Sequence, residues 1–120
     1  MRVLVIDGAN VVGSVPDGWW KDRPGAAARL HGELVAAALP YDLVELVLEG
    51  KARAGLDAGD YDGITVVHAP SGGDDEIAER CRALASADLE VTLATADRGL
   101  IARVAPYGVA VVGPRSVRRG

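Results

Sequence analysis

The chain has 120 residues, 49% hydrophobic and 25% charged and without a phenylalanine, which excludes a disordered polypeptide and predicts one packed domain over residues 1–120 with a core of Val, Leu, Ile and Ala. A single cysteine, Cys81, excludes an internal disulfide and a thiolate zinc centre and suits the reducing cytoplasm; no apolar run reaches the roughly 18 residues of a membrane span, and Met1-Arg2 is no signal peptide. The net charge is −4, yet all 17 acids precede position 98 while the remainder carries Arg98, Arg103, Arg115, Arg118 and Arg119 and no acid; this asymmetry predicts a basic end beside an acidic site, with 114–120 a flexible basic tail.

Arg2–Asp7 (RVLVID) is short, apolar and β-branched without alternation, as in a strand buried on both faces. A loop bearing Gly, Pro, Trp19 and Trp20 follows. Asp22 caps, Pro24 opens and Pro40 stops a helix over 24–39, with Ala27, Leu30, Leu34 and Ala38 inward and Arg29 pairing Glu33 outside. Residues 42–49 and 63–68 read as strands, separated by a Gly- and Asp-rich stretch (51–62) that has room for one helical turn. A helix is predicted over 74–87, with Ile77, Cys81, Leu84 and Asp88 on one face. A strand over 90–95, a short helix over 99–105 and a strand over 109–113 complete the chain. Strand–helix alternation of this kind predicts an α/β fold: a three-layer α/β/α sandwich with a parallel, Rossmann-like sheet of about five strands. His31 and His68, on a helix and at a strand end, read as structural, and Cys81 as core.

Ligands of an open parallel sheet bind outside the carboxyl ends of its strands, and the polar residues fall there repeatedly. Asp7 and Asn10 follow the first strand (DGANVVG), and Glu49 closes the second, with Lys51 and Arg53 beyond (EGKAR). Ser71, Asp74 and Asp75 follow the third (SGGDDEIAE), and Asp97 and Arg98 the fourth, which ends at Thr95 (TADRGL). Singly, each acid has a structural use as an Asx turn, a helix cap or a partner of the helix dipole. Together they repel, by about 4 kcal/mol per pair 4 Å apart at an effective dielectric of 20, and a cation would offset that cost. Oxygen ligands without His or Cys at ligand spacing suit Mg2+ or Mn2+ rather than zinc. Helical phase puts Asp74 on the inward stripe and Asp75 one step round it.

Rival sites are disfavoured residue by residue. No G-x-G-x-x-G follows the first strand and no P-loop lysine motif is present. Ala9 stands where a haloacid-dehalogenase-like phosphatase wants a second Asp, and Gly99 where a Toprim domain wants one.

DGANVVG, GGDDEIAE and TADRGL, in this order, resemble the NYN branch of the PIN-like nucleases, and the bacterial YacP-like proteins in particular; the resemblance spans nearly the whole chain. It implies a PIN-like fold and a metal-dependent ribonuclease, expected to be an endoribonuclease. Asp7, Asp74, Asp75 and Asp97 would then be catalytic and metal-holding acids, Glu49 a further metal ligand and Asn10 the amide that orients water. Thr95 and Ser71 would support them through their hydroxyls. Single-stranded or structured RNA is the implied substrate. Arg23, Lys51, Arg53 and Arg98, joined by Arg115, Arg118 and Arg119, would form a basic rim, with Trp19 and Trp20 stacking unpaired bases. A homodimer would lengthen that groove. The competing classes are a non-catalytic RNA-binding or ribosome-associated module and a toxin-type protein held by a partner. The chain is shorter than typical YacP-like proteins between Glu49 and Gly63.

Overall fold

A computed structural model describes residues 1–118. The strands are β1 (Arg2–Asp7), β2 (Leu43–Leu48), β3 (Gly59–Tyr61), β4 (Ile64–His68), β5 (Glu90–Ala94) and β6 (Ala110–Val112), and the helices α1 (Gly8–Gly13), α2 (Arg23–Ala37), α3 (Gly73–Ser86) and α4 (Arg98–Val104). They form one six-stranded sheet in the order β3-β4-β2-β1-β5-β6. Five strands are parallel, as expected; β3 adds a sixth that pairs antiparallel with β4. The extra strand lies in the stretch read as loop. Asp62 and Gly63 turn the chain with φ of 54° and 84°, and two left-handed residues of Asp-Gly type are what a tight hairpin between right-twisted strands requires. Gly50–Gly55 forms a short 3-10 helix where room for one helical turn was expected.

The sheet is covered on both faces because β1 is apolar on both. Leu4 and Ile6 pack under α1 and α2, whereas Val3 and Val5 face α3 and α4 with Ile77, Cys81 and Leu100. Burial pushes the Cys81 thiol up to about 12, so it is inert core. Asp22 caps α2 through Gly25 N, and Ala27, Leu30 and Leu34 are buried as the stripe predicts; the helix ends at Ala37, so Ala38 stands exposed in the left-handed region. Asp88 likewise lies past the end of α3 and is exposed. His31 and His68 bond the carbonyls of Tyr61 and Leu56. No helix among the described residues is long and apolar enough to cross a membrane.

Two ion-pair systems brace the flanks. Glu45, buried in mid-strand on β2, receives Arg80 of α3 through Nε at 2.5 Å and a second guanidinium nitrogen at 2.7 Å. Arg118 is itself buried, 3% exposed, and donates to Glu33 (2.6 Å), Asp17 (2.8 Å) and the Val12 carbonyl. This corrects two expectations. Residues 114–118 are docked through a short helical turn rather than forming a free tail, so Arg118 is no part of a basic rim; and Glu33 pairs with Arg118, while Arg29 lies 3.9 Å from Asp17. Arg119 lies outside the described residues.

Candidate active site

The sheet reverses direction beside β1. The chain leaves β1 through α1 and α2 on one face to reach β2, while α3, on the other face, leads back across to β5. The connections after the paired strands β1 and β5 thus part to opposite faces at their carboxyl ends, where an open parallel sheet has its crevice. Asp7 ends β1 at that point and caps α1, accepting from Asn10 N at 3.3 Å. The six-residue α1 had no sequence signature beyond this cap. Gly8 is required here because a Cβ would overlap the Val47 carbonyl oxygen of β2.

Hydrogen bonds knit the crevice. Thr95, fully buried, donates from Oγ1 to Asp7 Oδ2 at 2.8 Å, and the same oxygen accepts from Asp97 N at 3.1 Å. Asn10 Oδ1 accepts from Ala96 N at 2.8 Å, which makes the Asn10 amide NH2 the group left to donate. Asp97 caps α4 through Leu100 N at 3.1 Å. Glu49, beyond β2, accepts from Gly73 N at the start of α3, and a Cβ at Gly73 would displace the Glu49 carboxylate from this position.

Asp7, Glu49, Asp74 and Asp97 therefore share one neighbourhood. Burial first, opposed by the Thr95 and Asn10 hydrogen bonds and reinforced by the charges of Asp74 and Glu49, pushes the Asp7 carboxyl above the usual range. Desolvation, then the charges of Asp97 and Glu49, likewise raise Asp74. Asp75 is not brought into the group. One residue further round α3, it pairs with Arg103 of α4 at 3.0 Å, with its side chain 75% exposed.

A cleft of about 330 Å³ opens beside these acids, lined by Val12, Trp19, Arg23, Glu49, Ala52 and Ser71 among others. Trp19 packs half-buried on the core, Arg23 lies over its ring 5.4 Å from the centroid, and Trp20 is 53% exposed. Lys51, Arg98 and Arg115 are exposed. Arg53 differs from the other basic residues: its guanidinium is clasped by the carbonyls of Gly50 and Ala69 and ties the 50–55 turn to the end of β4.

The fold has a counterpart among solved structures. The crystal structure of Rae1 (YacP) from Bacillus subtilis, W164L mutant, superposes with a TM-score of 0.73 over 98% of this chain and 72% of that one, at 18% identity. The chain shares the YacP fold. No family model and no curated protein matches it, so the likeness lies in the fold, where it meets the resemblance carried by DGANVVG, GGDDEIAE and TADRGL.

The donors suit a hard divalent cation in kind: carboxylates and an amide, mutually repelling, with no imidazole or thiolate among them. Their placement is a separate matter. Among the described residues no three acids stand at the spacing of a single ion, because Glu49, Asp7 and Asp97 are each turned onto a protein donor. Side-chain rotation about fixed backbone positions would be needed to gather them.

Proposed function

We propose that this protein is a metal-dependent ribonuclease that hydrolyses RNA phosphodiester bonds within the strand. The observation that carries the reading is the meeting of Asp7, Glu49, Asp74 and Asp97 at the crevice beside β1, where burial and the neighbouring acids disfavour the charged forms of Asp7 and Asp74. A site built at this cost is expected to have a cation as its working partner. Asp7, Asp74 and Asp97 would hold Mg2+ or Mn2+, with Glu49 joining once it leaves Gly73 N. When bound, such an ion polarises the phosphoryl group and makes a bound water more acidic.

The remaining roles belong to the chain. Thr95 holds the Asp7 carboxylate in one rotamer from behind, and Ser71 offers a hydroxyl at the cleft. The Asn10 NH2 donates toward the reacting phosphate or its water without adding charge. Arg23, Lys51, Arg98 and Arg115 draw the RNA backbone to an acidic pocket that would otherwise repel it, which makes affinity salt-dependent. Calorimetric titration of Mn2+ into the wild type is expected to give binding that Asp97→Asn removes, and Asp7→Asn is expected to lose RNA cleavage. Cleavage by both variants at the wild-type rate would sink the reading.

A second reading, a non-catalytic RNA-binding module, is favoured by one observation: the hydrogen bonds that part the carboxylates. It predicts RNA binding indifferent to divalent ions.

A further inference from the structure

We propose that the cleft beside Glu49 is a nucleobase site, which takes one unpaired base of an RNA strand whose phosphate lies at the carboxylates. The proposal rests on the nuclease reading for the identity of the strand and adds a selection: unpaired over duplex RNA.

The cleft's size is the first argument. At about 330 Å³ it lies at the small end of ligand pockets, suited to one base rather than to a base pair. Its lining is the second. Val12, Trp19 and Ala52 supply apolar surface, while Arg23, Ser71 and Glu49 supply donors and acceptors at the edge. Indole and guanidinium planes are the two surfaces on which bases stack, and here they lie together on one wall.

The position of Trp19 is the third. It borders this cleft and also a second, open depression of about 320 Å³ lined by Asn10, Ser14, Ala96 and Pro114. Trp19 thus stands as a ridge between two hollows, one reaching the acids through Glu49 and the other through Asn10. Its place is fixed by core packing and by an edge-to-face contact with Trp20 at 5.8 Å. A strand crossing such a ridge separates its successive bases, and a duplex would first have to unstack and unpair. As a plug, Trp19 would fill the space it borders; it leaves that space open.

The test is binding of a short labelled RNA by fluorescence anisotropy in EDTA, where cleavage is arrested. Wild type is expected to prefer the single strand to its duplex. Replacing one nucleotide by an abasic residue, at one position of the oligonucleotide, is expected to weaken binding about tenfold, as is filling the cleft by Ala52→Leu. Trp19→Leu and Trp20→Ala are read alongside, with thermal melting to identify any variant that has not folded; the abasic RNA needs no variant at all. Equal affinity for single strand and duplex, or abasic RNA and Ala52→Leu protein binding as well as the originals, would overturn the proposal. Loss of cleavage in Asp97→Asn with base-dependent binding intact supports both readings. Base-dependent binding by a wild type that never cleaves RNA supports the base site and refutes the nuclease.

Discussion

The acids on the flanks of the sheet and those at its carboxyl edge are solved in opposite ways. On the flanks each buried charge has its counter-charge built in: Glu45 has Arg80, and Arg118 has Asp17 and Glu33. There the Arg118 hydrogen bond holds the Asp17 carboxyl below its usual range. At the edge, Asp7 and Asp74 are raised by burial and by other acids, and the cation that partly relieves Asp74, Arg103, is already paired with Asp75. A fold that neutralises its acids elsewhere and leaves these uncompensated has given up stability at that spot, as functional sites do.

The comparison can be broken most forcefully at the edge. Asp7→Asn or Asp97→Asn is expected to lower RNA cleavage about a thousandfold, measured as single-turnover rates at saturating Mn2+, while leaving the fold intact by circular dichroism. On the flanks the same kind of change should act on stability instead. Arg80→Ala strands the buried Glu45 carboxylate and is expected to cost about 3 kcal/mol in urea unfolding. Arg118→Ala is expected to cost about 2 kcal/mol, less because Asp17 and Glu33 lie partly in water and rehydrate.

Thr95→Val removes the hydrogen bond that pins Asp7. About 1 kcal/mol of stability should be lost, with a larger effect on cleavage than on folding. Smallest is Asp74→Asn, expected to raise the metal-free melting temperature by about 1 °C at pH 7. The signs with pH sharpen the contrast. Because the native Asp74 carboxyl binds its proton more readily than the unfolded one, the wild type is penalised above that raised value, and the Asn advantage should fade as pH falls through it. The Arg118→Ala deficit should also shrink in acid but from the other side, since a lowered carboxyl stabilises above the unfolded value and loses that stability as pH falls through the folded one. A metal-free Asp74→Asn protein no more stable than wild type at pH 7 would remove the contrast.

Much of this was legible in the linear sequence. Five apolar runs bounded by Gly, Pro or Asp mark the parallel strands, because a strand covered on both faces has no polar alternation to hide it. The edge acids could be grouped because parallel strands deliver their carboxyl ends to one side. The hairpin at Tyr61–Ile64 was signalled by its Asp-Gly pair, but a three-residue strand leaves almost no periodicity to read. Glu45 carried a signal too, an acid inside LVELVL, although nothing near it named Arg80.

The sequence by itself determined which residue types end which strands, and so the kind of chemistry available at the edge. Tertiary structure alone decided which acids meet. Helical phase already set Asp75 about 100° round from Asp74, but only the packing of α4 beside α3 gave Asp75 its partner Arg103. Arg118 changes from an expected tail residue to a buried brace through contacts to Glu33 and Val12, 85 and 106 positions away, and pairings at that separation leave no local pattern. What they depend on is the three-dimensional path of the chain, which brings charges together that no spacing along the sequence connects.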